Sequence, residues 1–97
     1  MIMFEWDEAK NRRNQRKHGV AFKQACRVVD DPNALMALDG VAHAEERWRA
    51  IGRVDAATVV VVAHAIRVRA GGEVIRIISA RRASQQESKR YEAQVFF

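Results

Sequence analysis

The spacing of apolar residues changes period along the chain, and the changes predict its elements. MIMFEW is short and apolar, and residues 2–6 fit an edge strand. DEAKNRRNQRKHG then carries good helix formers but one apolar residue, Ala9, which predicts a mostly solvated helix. Asp7 suits its N-cap, Glu8 the positive end of its dipole and Gly19 its C-cap. Phe22, Ala25, Cys26 and Val29 are spaced by three and four, so residues 21–30 read as a second helix with one buried face. Asp31-Pro32-Asn33 stops it. From residue 34 the reading is strands. ALMAL (34–38) precedes a loop, DGVAHAE. ERWRAIGRV places Arg47, Arg49, Ile51 and Arg53 on one face and Trp48, Ala50 and Gly52 on the other. TVVVVAHAI (58–66) is the most strand-like segment, residues 67–72 form a turn with Gly71-Gly72, and EVIRIISA is a further strand. Ser84 and Glu87 make a capping box that opens a last helix through about Gln94.

The order is helix, helix, three or four strands, helix. Short connections between consecutive strands imply an α+β fold: an antiparallel meander packed by two N-terminal helices and one C-terminal helix. The 97 residues fit one domain. No apolar run is long enough to span a bilayer, and the first residues lack the basic start and long apolar stretch of a secretory signal. Cys26 is the one cysteine and has no partner for an internal disulfide, which fits a reducing cytoplasm.

Charge narrows the choice of partner. Seventeen Lys and Arg oppose twelve Asp and Glu, a net +5, and thirteen of the seventeen are Arg. Arginine binds phosphate bidentately and stacks on bases, so a polyanion such as nucleic acid is the expected partner. An acidic protein satisfies the same charge.

Several kinds of chemistry have no pattern to rest on. His18, His43 and His64 lack a partner at i+4, there is no paired acidic cluster and no phosphate-cradling glycine loop, so no metal or cofactor is expected. Ser79 and Ser84 have no spacing to His and Asp that suggests a triad. What remains is basic. With an unbroken pleat Ile75, Ile77, Ser79 and Arg81 share one face of the last strand, and Arg76 and Arg82 the other. His64 and Arg67 then lie near the 67–72 turn, and Arg81 toward the opposite end of its strand. Metal-free RNA cleavage needs only such groups. A base takes the 2′-OH proton, the 2′ oxygen attacks phosphorus, cations hold the phosphorane charge and the 5′ oxygen leaves protonated.

Four segments in order resemble a known family over nearly the whole chain. FEWDEAKNRRNQRKHGVAF, EERWRAIGR, HAIR and IRIISARRASQQESKRYE are similar to the corresponding motifs of the BrnT-type ribonuclease toxins of type II toxin–antitoxin systems. Ala21 stands where the family often has Ser or Thr, and Ala65 where it often has Thr. The resemblance implies a RelE-like fold and a growth-inhibiting RNA endonuclease that needs no metal. It also implies a BrnA-like antitoxin that neutralises the toxin and binds operator DNA, so that DNA is met only through the antitoxin. Carried over residue by residue, Arg81 and Arg82 are the phosphate-handling pair and Arg67 a third cation. His64 and Lys17 are candidates for proton transfer or substrate contact, and Arg47, Arg49 and Arg53, on one strand face, are candidates for contact with RNA substrate or antitoxin. The competing reading is a non-catalytic nucleic-acid- or partner-binding module.

Overall fold

The computed structural model describes residues 2–94. Its elements are β1 (Met3–Glu5), α1 (Glu8–His18), α2 (Phe22–Asp30), β2 (Leu35–Ala42), β3 (Glu45–Arg53), β4 (Val59–Arg69), β5 (Gly72–Arg82) and α3 (Gln85–Ala93). The strands form one sheet in the order β1-β5-β4-β3-β2. β2 to β5 are the expected antiparallel meander, and β1 joins the edge parallel to β5, so the sheet is mixed. The α+β class stands. No helix among the described residues is long and apolar enough to cross a membrane.

Two of the three hairpins are tighter than the residue pattern predicts. The expected loop over residues 39–45 is mostly strand: β2 passes a bulge between Leu38 and Gly40 and runs on to Ala42. Only His43 and Ala44 turn, with φ of 52° and 61°. Two consecutive positive φ angles match the twist of antiparallel strands, which is why so short a turn closes here. The turn expected over 67–72 likewise shrinks, because β4 extends to Arg69 and β5 begins at Gly72. Gly71 takes φ 99°, a value that suits glycine.

The main core lies between α2 and one face of the sheet, called here the helix face. Phe22, Ala25 and Val28 pack on Ala50, Val60, Val62 and Ile77. Val28 takes the central place, while Cys26 and Val29 are only half-buried at its margin. The end of α2 crosses β3 at Gly52. A Cβ there would stand 3.1 Å from both the side chain and the carbonyl of Val28, so glycine is what allows the approach.

α1 lacks an apolar stripe and is held by amides instead. Its buried residues are Asn11 and Asn14. Asn14 donates to the Val20 and Ala80 carbonyls at 2.9 and 2.7 Å and accepts from the Ala80 N–H at 3.2 Å. Asn11 accepts from the Phe22 N–H at 2.8 Å. β1 pairs only with Val74, Ile75 and Arg76, so the outer edge of β5 beyond them has no strand beside it. The Asn14 amide replaces a strand at Ala80 and satisfies both of its backbone groups.

The opposite face carries a smaller core of Leu35, Ile51, Val59, Val61 and Tyr91. α3 covers only that end. Its Ser84–Glu87 capping box forms as expected, and the Tyr91 hydroxyl donates to Asp31 at 2.6 Å. The rest of this face is open.

Candidate active site: an arginine-lined sheet face

One extra residue decides which side chains meet. Ala63 pairs with Ser79 but His64 pairs with Ile77, so Ile78 is a bulge in β5. A bulge shifts the alternation by one position. The unbroken pleat expected for this strand is therefore corrected. Arg81 and Ser79 share the open face with Arg76, while Ala80 and Arg82 follow Ile75 and Ile77 onto the helix face.

The open face is built in cross-strand rows. Arg47, Ala65 and Arg76 form one row, Arg49, Ala63 and Ser79 the next, and Ile51, Val61 and Arg81 a third. Neighbouring strands are about 4.8 Å apart and successive rows about 7 Å, so the cations stand at spacings a polymer of phosphates can match. The floor is alanine. Ala65 is 0% exposed although its row neighbours are Arg47 and Arg76, which shows that the aliphatic stems of the arginines lie over it. The Nε atoms of Arg47 and Arg76 are buried and make no hydrogen bond.

Carboxylates hold several of these arginines in place. Arg81 donates from both terminal nitrogens to Glu87, at 2.8 and 3.0 Å. This bidentate contact holds the Glu87 carboxyl down at about 2, with further lowering by Ser84. Glu45 accepts from Arg67 Nε and, at 2.7 Å, from Arg76, and the Arg67 bond leads in lowering its pKa to about 2. Both carboxylates have folded pKa values below their ordinary 4.5. The stability they contribute is thus present above pH 4.5 and lost as pH falls toward 2. Thermal melts across that window should show a falling Tm for the wild type, and Glu87→Gln should flatten the decline.

α1 adds cations at the side. Lys10, Arg13, Lys17 and His18 line a groove of about 480 Å³ with Ile78 and Ser79. Lys17 therefore stands beside the open face at the same strand edge as Ser79.

The structure brings together some of the expected site residues and separates others. Arg47, Arg67 and Arg81 share the open face, but Arg67 lies about 20 Å along the strands from Arg81. Arg82 is exposed and on the other face. His64 is 1% exposed on the helix face, in a row with Trp48 and Ile77. Burial lowers its pKa, opposed by the Val62 backbone. Arg81 and Arg82 lie on opposite faces of the sheet, as alternation along the strand places them, and the thickness of the sheet also divides His64 from Arg81. Arg53 is engaged by α3, pairing with Glu92, donating to the Ala56 carbonyl and lying over the Tyr91 ring at 5.5 Å. Arg76, Glu45 and the positioning role of Glu87 were not singled out from the sequence as site features. An arginine inside an apolar strand was the one visible signal for Arg76.

Fold and face together define a class: a small α+β domain whose helices back one side of a sheet and leave an arginine-rich side open to a polyanion. The particular family follows from residues 6–87, which match the ribonuclease toxin, BrnT, of type II toxin-antitoxin system, and the chain belongs to that family. It is also similar to the Brucella abortus ribonuclease toxin BrnT, known from a crystal structure. The two are 28% identical with a TM-score of 0.60, over 88% of this chain and 99% of that one. A comparison with curated proteins gives no match.

Proposed function

We propose that this chain is a metal-independent RNA endonuclease that arrests growth until a BrnA-like antitoxin neutralises it. The observation that carries the reading is the open face, where Arg47, Arg49, Arg76 and Arg81 surround an alanine floor in a ribonuclease toxin family. Arg81, oriented by Glu87, holds the phosphoryl oxygens of the scissile phosphate. Arg47 and Arg76 hold flanking phosphates, and Lys17 steers the strand along the groove by α1. His64 is left out because it is buried on the other face. His18, which lines the groove beside Ser79, takes the 2′-OH proton. As the 2′ oxygen bonds to phosphorus the P–O5′ bond breaks, and the departing 5′ oxygen takes a proton from water. The products are a 2′,3′-cyclic phosphate and a 5′-OH. Operator DNA is met only through the antitoxin.

Incubating the purified chain with RNA and with DNA of the same sequence in EDTA tests this. RNA fragments with cyclic phosphate ends and intact DNA are expected. Retention of RNA without cutting would instead favour a binding module, and cutting only after a divalent metal is added would overturn metal independence.

A further inference from the structure

The helix face is not fully covered. α1 and α2 lie over its centre and the β5 edge, and the end toward the hairpins is bare of helix. Of the six exposed large apolar side chains among the described residues, Met36, Leu38, Val41 and Val68 fall on this face by their pairing. Ile2 joins them, lining a cleft of about 280 Å³ with Trp48 and His64. Val41 is 70% exposed and Leu38 53%. Met36, Leu38 and Val41 follow one another along the edge strand β2, with Val68 on β4 beyond Glu46 of β3, and an exposed apolar patch on a sheet edge marks an interaction site.

Two further observations describe what would fit. Trp48 Nε1, beside the cleft, is buried and makes no hydrogen bond. The cleft lining is apolar, which suits a large apolar side chain, and a peptide carbonyl is the kind of acceptor that could pair the Trp48 N–H. The charged positions on this face at the bare end are Glu46 and Glu73, both exposed. The patch is thus apolar with an acidic rim, whereas the open face is cationic. A second copy would set Glu46 and Glu73 against like charges in a two-fold contact. RNA is repelled by the same carboxylates.

We infer that this apolar, acidic-rimmed face seats a protein partner through a segment with large apolar side chains bordered by Lys or Arg, on the side of the sheet opposite the arginines. Resting on the toxin reading above, that partner is the antitoxin. The seat leaves the arginine face a separate surface, so the two can be disabled one at a time.

The probe is the antitoxin encoded with this chain, titrated by calorimetry against wild type, Leu38→Asp, Val41→Asp, Glu46→Lys/Glu73→Lys and Arg81→Ala. Both apolar positions are exposed, so these variants should melt like the wild type. Binding is expected to weaken at least 100-fold for Leu38→Asp and Val41→Asp, and at least 10-fold for the charge reversal. It should stay within threefold for Arg81→Ala. RNA cleavage by Leu38→Asp and Val41→Asp in the absence of antitoxin should be unchanged. Loss of binding in Arg81→Ala with normal binding by the apolar variants would overturn the inference and place the antitoxin on the arginines. Wild-type self-association that Leu38→Asp abolishes while antitoxin binding persists would also overturn it. An inactive wild type that still binds the antitoxin through Leu38 would sink the ribonuclease reading and leave this one standing.

Discussion

Arg81→Ala is expected to lower RNA cleavage about 10²–10³-fold, the usual loss when one preorganised donor to a developing oxyanion is removed. The side chain is fixed by two bonds to Glu87, which itself is tied to the Ser84 N–H at the start of α3. An incoming phosphate thus meets a guanidinium already oriented rather than one that must be ordered first. Arg81→Lys keeps the charge but loses the fork, and should recover little of the rate. Stability should change slightly. The Arg81 side chain is 43% exposed, and a partly exposed ion pair contributes at most about 1 kcal/mol, a few degrees of Tm. Single-turnover cleavage assays read the first effect and thermal melts the second. Full cleavage by a well-folded Arg81→Ala protein would remove this residue from the chemistry.

The largest expected effect on stability lies in a helix with almost no apolar surface. Asn14→Leu removes three hydrogen bonds and leaves the Ala80 N–H and the Ala80 and Val20 carbonyls without that partner. Buried groups left so cost about 1–3 kcal/mol each, and a total near 4 kcal/mol is a large share of the 5–15 kcal/mol that holds a domain together. In a chain of this size the Tm should fall by about 15–30 °C. Asn14→Asp should be comparably harmful, since it sets a carboxylate against two carbonyls. Denaturant unfolding checks both variants. A loss under 1 kcal/mol for Asn14→Leu would mean that α1 is held by something other than its amides.

Both effects arise where local pattern and tertiary arrangement part company. Asn11 and Asn14 look like ordinary polar positions on a solvated helix, because periodicity scores apolar burial and is blind to an amide that completes a sheet edge. The N-cap at Asp7, the C-cap at Gly19 and the Ser84–Glu87 box were legible, since each depends on residues within one turn. So was the α+β meander, because the alternation over 46–54 and the apolar runs of 58–66 and 73–80 are local signals. The short hairpins were harder to see. His43-Ala44 is not a usual turn pair, and its positive φ angles are imposed by the strands that meet there.

The arginine pair at residues 81 and 82 marks the boundary. Composition and motif order alone point to a cationic, RNA-directed toxin, because charge content and family motifs survive without any coordinates. Arg47, Arg49 and Arg53 on one face of β3 could also be read directly, since that strand pairs with β4 without a bulge. Which cations join them could not. A single unpaired residue, Ile78, reverses the faces of everything after it in β5, and nothing in IISARR announces it. The bulge depends on how β5 aligns with β4 and on Asn14 holding the outer edge at Ala80, contacts between residues far apart in the chain. It brings Arg81 to Arg76, parts it from His64 on the helix face and sends Arg82 away, because side-chain direction in a strand is settled by register, and register by the neighbouring strand.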